Sequence, residues 1–159
     1  LREPHVDGHV ALLRHAEAPG IGDPPEFALG DCSTQRNLSP AGREHAARIG
    51  AAFRARGVAV DQVLTSGWCR CVDTAALAFG TAEVWPPLHS FFRDSATGLA
   101  QTRAVRERIA EWSGPGTLVL VTHQVNITAL TNLFPTSGEL AVLAPARGGF
   151  AILGCATVD

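Results

Sequence analysis

Short apolar runs alternate along the chain with longer segments whose apolar positions recur at helical spacing. The runs predict strands at 9–14, 62–65, 83–85, 117–122, 140–143 and 150–155. The longer segments predict helices from 39 to about 56, from 66 to about 79 and over 99–112, and a short helix after His123. Alternation of strands and helices favours a mainly parallel sheet covered on both faces. We therefore predict an α/β fold: a single domain over residues 1–159, built as a three-layer αβα sandwich with about five to six strands.

A long loop, residues 17–37, separates the first predicted strand from the first helix. Its length is near the upper limit for a connection without regular structure, and such loops are often functional. The helix that follows has a clear start, because Ser39 can cap it and Pro40 suits its first turn. Gly57 ends it.

Composition excludes several classes of protein. Hydrophobic residues make up 46% of the 159 residues, which is enough for a sizeable core, and the formal net charge is -2. That charge gives no indication of nucleic acid or a membrane surface as a partner. There is no run of about 20 apolar residues, so no membrane span is expected. The chain begins at Leu1 and contains no Met, so we expect a processed chain, and removal of a targeting segment is one interpretation.

Four cysteines are present, namely Cys32, Cys69, Cys71 and Cys155. A Cys-x-Cys pair without a second pair or a spaced histidine is a weak zinc motif. Buried free thiols are the simplest interpretation. The alternative is a bridge from the Cys32 loop to Cys69 or Cys71, which would favour an oxidising compartment.

Two apolar runs end in histidine. The run Val10-Ala11-Leu12-Leu13 leads into Arg14-His15-Ala16, and the run Leu118-Val119-Leu120-Val121 leads into Thr122-His123. Ligands of open α/β sheets bind beyond the carboxyl ends of the strands. An imidazole there can attack phosphorus, and an adjacent guanidinium can neutralise the oxygens of a phosphoryl group.

A third element begins at the end of the 62–65 strand and enters a helix, over Ser66-Gly67-Trp68-Cys69-Arg70-Cys71-Val72-Asp73-Thr74-Ala75. Helix N-termini bind anions through backbone N–H groups. A cation is not favoured in the first turn of a helix, so Arg70 at that position indicates a bound anion. His123 is expected to be protonated when it binds such an anion, with a charge that depends on pH near 6.5.

These elements together resemble the histidine phosphatase superfamily, also called phosphoglycerate mutase-like. Arg14-His15-Ala16 is similar to its opening Arg-His-Gly, with Ala as a departure, and Leu38-Ser39-Pro40-Ala41-Gly42 to its Leu-Thr/Ser-x-x-Gly helix start. The segment from Ser66 to Ala75 is similar to Ser-x-x-x-Arg-x-x-x-Thr-Ala, and Thr122-His123 to the late Thr/Ser-His. The four matches occur in the family order and cover most of the chain.

The resemblance implies roles for the matching residues. His15 would be the phosphorylated nucleophile, and Arg14, Arg70 and His123 would complete the phosphate pocket. No metal and no cofactor are implied. The partner would be a small phosphorylated substrate: a metabolite, a sugar phosphate or phosphohistidine. Motifs of other phosphate-handling enzymes, such as Asp-x-Asp, Cys-x5-Arg and the Gly-x4-Gly-Lys-Ser/Thr loop, are absent from the sequence.

The proton donor is the main departure from the family. Many members have Glu in a Leu-x-Glu context after the third strand, whereas this chain has Leu88-His89-Ser90. A general acid contributes about 10²–10⁴ in rate. Asp94 is the nearest downstream carboxylate and the candidate donor, and Glu17 is another option. Without an acid, phosphohistidine or acyl phosphates become more plausible substrates than alkyl phosphates.

The segment after the third strand is short, so we expect an open pocket like that of the small bacterial branch, which includes phosphohistidine phosphatases. The stretches 31–37 and 90–92 also resemble those of lipopolysaccharide core heptose-phosphate phosphatases, a likeness that would place the protein in the periplasm, with the cytoplasm as the alternative. The sequence leaves the oligomeric state open. Two other functions remain: a non-catalytic phosphate-binding relative, and a thiol hydrolase or redox protein that uses Cys69 or Cys71 with His123.

Overall fold

Strands and helices alternate along residues 8–159, the part of the chain that the computed structural model describes. The strands are β1 (Val10–Arg14), β2 (Val60–Thr65), β3 (Glu83–Val84), β4 (Thr117–Thr122), β5 (Leu140–Ala146) and β6 (Gly149–Ala156). The helices are α1 (Pro40–Ala55), α2 (Cys69–Phe79), α3 (Gly98–Ala110) and α4 (Gln124–Thr131), with short 3-10 turns at Cys32–Thr34, Pro86–Leu88 and Ser95–Thr97. Within these residues, no helix is long and apolar enough to cross a membrane.

All six strands belong to one sheet, in the order β3-β2-β4-β1-β5-β6. Strands β3, β2, β4 and β1 run parallel, whereas β5 is antiparallel to β1 and β6 to β5. The last two strands form a hairpin through a turn at Gly148, whose φ is 76°, and a short turn of this kind can join only antiparallel strands. The predicted mainly parallel sheet is confirmed, with this antiparallel edge.

Each face of the sheet carries a separate apolar cluster, as the alternation of side chains along a strand requires. Val10 and Leu12 of β1 pack with residues of α3 and α4, including Ile109 and Ile127. Ala11 and Leu13 point the other way. They pack in a second cluster with residues of α1 and α2, including Ile49, Ala75 and Ala78. The predicted three-layer αβα sandwich is therefore confirmed.

Helix α1 begins as its sequence predicts and lies unusually close to α2. The Ser39 hydroxyl accepts from the Gly42 amide at 2.9 Å, and Pro40 occupies the first turn. A Cβ atom placed on Gly50 would lie 1.8 Å from the Ala78 carbonyl oxygen of α2. The two helices can approach this closely only because residue 50 has no side chain.

A disulfide joins Cys32, in the loop before α1, to Cys69 at the start of α2. The interpretation of all four cysteines as free thiols is therefore wrong, and Cys69 rather than Cys71 makes the bridge. Residues two apart in a helix point in different directions, so Cys69 reaches the loop while Cys71 is buried in the core. Cys155 is free and exposed.

Candidate active site

His15 and His123 lie close together at the carboxyl ends of β1 and β4 because these two strands are neighbours in the sheet. β1 and β4 pair in parallel with Arg14 opposite Thr122, so the next residue of each strand leaves the sheet at the same place. The two imidazole rings lie 5.5 Å apart, centroid to centroid, in an edge-on arrangement. Both side chains are almost completely buried.

His15 is held in one orientation and one tautomer. Its Nδ1 lies 2.8 Å from the Ala16 carbonyl oxygen, which can only accept, so Nδ1 donates and Nε2 carries the lone pair. The Ala16 amide in turn donates to the Thr74 hydroxyl at 3.1 Å. Burial, the largest cause, and the charges of Arg70 and Arg14 lower the pKa of His15 to about 3, against the opposing effect of the Ala16 hydrogen bond. At neutral pH the ring is therefore uncharged, and Nε2 is unprotonated.

Arg70 connects His15 to a carboxylate. Its Nε donates to His15 Nε2 at 3.3 Å, and its two terminal nitrogens donate to the two oxygens of Asp23 at 2.8 and 3.2 Å. Asp23 also accepts from the Trp68 indole at 3.1 Å and from the Arg36 amide at 3.2 Å. Burial would raise the pKa of Asp23, but the hydrogen bonds from Arg70 and Arg36 and the charge of Arg70 outweigh it and leave the pKa lowered. Asp23 is therefore ionised at neutral pH.

Two further guanidiniums surround His15. Arg14 donates from Nη1 to the Pro135 carbonyl at 2.8 Å, while its buried Nε has no hydrogen-bond partner among residues 8–159. Arg36 donates from Nε to the Gly22 carbonyl at 2.6 Å and lies near Arg70. A guanidinium stays protonated in a protein, so with Arg70 the site holds more positive charge than Asp23 can balance. This excess charge suits an anionic ligand.

His123 is neutral in the free protein. Its Nε2 lies 2.8 Å from the Ser66 hydroxyl, and the Cys71 sulfur lies 3.6 Å from the same nitrogen. Burial, followed by the charges of His15 and Arg70, lowers the pKa of His123 well below its ordinary value. In the unliganded protein the ring is therefore uncharged, because a buried ring among cations is not readily protonated. Protonation of His123 when an anion binds stays a prediction.

The structure does not bring Asp94 to this site. Its carboxylate caps the 3-10 turn at Ser95–Thr97 and accepts from the Ala96 amide at 3.1 Å. Glu17, the other option, accepts from the Ser39 hydroxyl at 2.8 Å at the start of α1. Each carboxylate therefore already accepts a hydrogen bond that stabilises its own part of the chain, Asp94 from an amide and Glu17 from a hydroxyl. Ser90 does line the cavity.

The cysteines give no reactive thiol at the site. Cys69 is consumed in the disulfide, and Cys71 is fully buried. Burial is the largest effect on Cys71 and raises the pKa of its thiol to about 12. The nucleophilic form of cysteine is the thiolate, so the geometry argues against a cysteine-based hydrolase.

A cavity of about 620 Å³ opens above the two histidines. Its floor is formed by Arg14, His15, Arg70 and His123, and its wall by Ile21, Phe27, Trp68, Phe91, Phe92 and Phe134. Asp23 and Arg36 also line it and were not identified from the sequence. Both belong to the loop at 17–37, whose length was the one signal that could have pointed to them.

Among residues 8–159, no group of three or more His, Cys, Asp or Glu side chains is arranged to hold a metal ion. Among the described residues that line the cavity, Asp23 carries the only carboxylate.

The sequence matches no protein-family model and no curated protein. Solved structures do share its fold. The protein histidine phosphatase SixA complexed with tungstate is 18% identical, with a TM-score of 0.62 over 94% of this chain and 96% of that one. A phosphoserine phosphatase from Entamoeba histolytica, in complex with 3-phosphoglyceric acid, is 12% identical, with a TM-score of 0.66 over 95% of this chain and 98% of that one.

A third structure, from Escherichia coli strain K-12 and described as a candidate alpha-ribazole-5'-P phosphatase, is 16% identical, with a TM-score of 0.70 over 95% of this chain and 96% of that one. In all three comparisons nearly the whole of both chains is superposed. The chain therefore has the fold of the histidine phosphatase superfamily, as the four sequence motifs predicted.

Proposed function

We propose that the protein is a metal-independent phosphomonoesterase that works through a phosphohistidine on His15. The observation that carries the proposal is the state of His15. Its Nε2 holds a lone pair at neutral pH and lies 3.3 Å from the Nε of Arg70, so the nucleophile and a phosphate-binding cation are already adjacent.

In the first step, the lone pair of His15 Nε2 attacks phosphorus, and the bond between phosphorus and the leaving oxygen breaks. The leaving group departs with that electron pair. Arg14 and Arg70 neutralise the charge on the equatorial oxygens, and His123, whose ring centroid is 5.5 Å from that of His15, is proposed to hydrogen-bond one of them. The Nδ1–H group continues to donate to the Ala16 carbonyl oxygen, and this hydrogen bond stabilises the ring as it becomes cationic.

In the second step, water attacks the phosphorylated ring. The bond between nitrogen and phosphorus breaks, the electron pair returns to Nε2, and the water loses a proton as inorganic phosphate forms. The fold supports this chemistry because structures with the same fold are described as protein histidine, phosphoserine and alpha-ribazole-5'-P phosphatases. The substrate proposed for this chain is a small phosphorylated molecule or phosphohistidine.

The test is hydrolysis of p-nitrophenyl phosphate in the presence of EDTA and its inhibition by vanadate. We expect turnover by the wild type and loss of turnover in His15→Ala. His45→Ala is the matched control, because His45 hydrogen-bonds near the chain end to the Val158 carbonyl, away from the cavity. Equal hydrolysis by the wild type and His15→Ala would reject His15 as the nucleophile. Tight phosphate binding without turnover of any ester or phosphohistidine would instead identify a non-catalytic relative.

We also propose that the protein works in an oxidising compartment such as the periplasm. The bridge between Cys32 and Cys69 supports this location, because disulfides persist where thiols are not kept reduced. Alkylation of the protein in fractions of its native cells, before and after reduction, tests the location. A fully reduced pair in a cytoplasmic fraction would reject it.

A further inference from the structure

The wall of the cavity presents a rigid aromatic surface next to the floor. Phe27 stacks on Trp68, with ring centroids 4.9 Å apart and planes 22° from parallel. Trp68 also packs against the His123 ring in an edge-on arrangement, with ring centroids 5.4 Å apart. Because the Trp68 indole donates to Asp23, its ring is fixed in this position. A leaving group attached to a phosphate on the floor would therefore lie against aromatic side chains.

Apolar side chains continue to the mouth of the cavity and are exposed there. Ile21, Phe92 and Phe134 line the cavity, yet 89%, 63% and 73% of their surfaces are accessible. Exposed apolar groups gathered at the rim of a pocket are typical of a ligand-binding surface. A ligand that reached from the floor to this rim would cover them.

The wall offers little to the hydroxyls of a sugar. The six side chains that form the wall carry one polar group, the Trp68 N–H, and it already donates to Asp23. A hydroxyl placed against an apolar surface loses its hydrogen bonds to water without replacement. The surface therefore favours an apolar leaving group over a polyhydroxylated one.

The described residues that line the cavity offer no carboxylic acid to protonate the leaving oxygen, and this limits the leaving group further. Asp23, the one carboxylate among the described lining residues, is ionised and bound to Arg70, so it has no proton to give. The leaving oxygen must depart as an anion. A phenol has a pKa of about 10 and can do so far more readily than an aliphatic alcohol.

We propose that the substrates are aryl phosphates, monoesters of a phenol whose apolar ring system lies against Phe27, Trp68 and the exposed rim. The proposal rests on the proposed phosphomonoesterase function. His15 Nε2 forms a bond to phosphorus, the bond to the aryl oxygen breaks, and the phenoxide leaves with the electron pair and then takes a proton from water. The same chemistry applies to a free aryl phosphate and to a phosphotyrosine side chain.

The test compares four substrates at neutral pH in EDTA: 2-naphthyl phosphate, phenyl phosphate, n-octyl phosphate and glucose 6-phosphate. We expect kcat/KM for the aryl esters to exceed that for the other two by about 100-fold or more, the smallest effect of a missing general acid. Naphthyl and phenyl phosphate have similar leaving groups but different apolar areas. We therefore expect KM to be several-fold lower for the naphthyl ester.

Variants at the rim test the wall itself. Phe92→Ala and Phe134→Ala are expected to raise KM for 2-naphthyl phosphate several-fold and to leave inhibition by vanadate unchanged. Leu99→Ala is the matched control, because Leu99 is 85% exposed but does not line the cavity. A phosphotyrosine peptide and free phosphotyrosine, assayed in parallel, distinguish a protein substrate from a small molecule.

Each failure has a distinct meaning. Turnover of octyl phosphate or glucose 6-phosphate at the rate of the aryl esters would overturn the aryl proposal and leave the phosphomonoesterase intact. Equal KM values for phenyl and naphthyl phosphate, or rim variants that behave like the wild type, would also overturn it. Absence of turnover with all four substrates would instead overturn the proposed function.

Discussion

Arg70 lies between His15 and Asp23, with its Nε on the imidazole and both terminal nitrogens on the carboxylate. The terminal nitrogens are the atoms best suited to grip a phosphoryl group, since a guanidinium binds oxyanions through two parallel hydrogen bonds. In the unliganded protein an internal carboxylate holds them. A substrate that uses these atoms must therefore share or displace Asp23.

Asp23→Asn is expected to tighten the binding of anions at the floor. The amide keeps the shape of the side chain but removes a negative charge next to the site, and at an effective dielectric of about 20 two charges 4 Å apart repel by about 4 kcal/mol. Loss of the ion pair with Arg70 offsets part of this gain. We therefore expect the inhibition constant of vanadate to fall about tenfold, which is about 1.4 kcal/mol. Steady-state inhibition of the two proteins measures it.

Asp94→Asn is the matched control, because Asp94 caps a turn outside the cavity. The inhibition constant of vanadate for this variant is expected to equal that for the wild type. Weaker vanadate binding in Asp23→Asn would show that Asp23 orients Arg70 rather than competing with the ligand.

Stability is expected to fall as the pH drops below about 6.5. His15 and His123 have lowered pKa values in the folded protein, with that of His15 about 3. At a pH between these lowered pKa values and the ordinary value of about 6.5, the two histidines are protonated in the unfolded chain but not in the folded protein. The contribution of the neutral rings is therefore complete above pH 6.5 and is lost on acidification, by about 1.4 kcal/mol per pH unit for each histidine.

Urea unfolding at pH 7, 6 and 5 measures this dependence. His123→Asn removes one titrating ring, so the free energy of unfolding is expected to change less steeply with pH than in the wild type. Identical slopes in the two proteins would contradict the assignment of a neutral, buried His123.

Loss of the disulfide is expected to destabilise the protein. Cys32 and Cys69 are 37 residues apart in the sequence, and closing a loop of that size stabilises a fold by about 3–4 kcal/mol through the unfolded state. Cys32→Ser should lower the free energy of unfolding by about that amount, and reduction of the wild type should have the same effect. Cys155→Ser, at an exposed free cysteine, is the control and should unfold like the wild type. Unchanged stability of reduced wild type would contradict the expectation.

The floor of the site could be predicted from the sequence because short-range rules fix it. An apolar run that ends in histidine places the ring at the strand end, and parallel neighbours align those ends, so His15 and His123 had to be close once β1 and β4 paired. The position of Arg70 in the first turn of α2 follows in the same way from the end of β2.

The rest depends on the path of a loop that no periodicity describes. Asp23 reaches Arg70 across 47 residues of sequence, and the pairing of Cys32 with Cys69 rather than Cys71 depends on which side of α2 faces the loop. The neutral state of His123 was also missed. A pKa depends on burial and on every nearby charge, and neither can be counted before the fold is known.

The floor and most of the wall of the cavity come from different parts of the chain, Trp68 at the start of α2 being the exception. The floor residues lie at strand ends and at the start of α2, whereas Ile21 and Phe27 lie in the loop before α1, and Phe91 and Phe92 in the segment between β3 and α3. Loops tolerate replacement far better than strands. The leaving-group preference of this scaffold is thus partly modular: exchanging the segment between β3 and α3 would redirect it to other phosphoesters, while the loop before α1 keeps Asp23 on Arg70 and the reacting groups keep their positions.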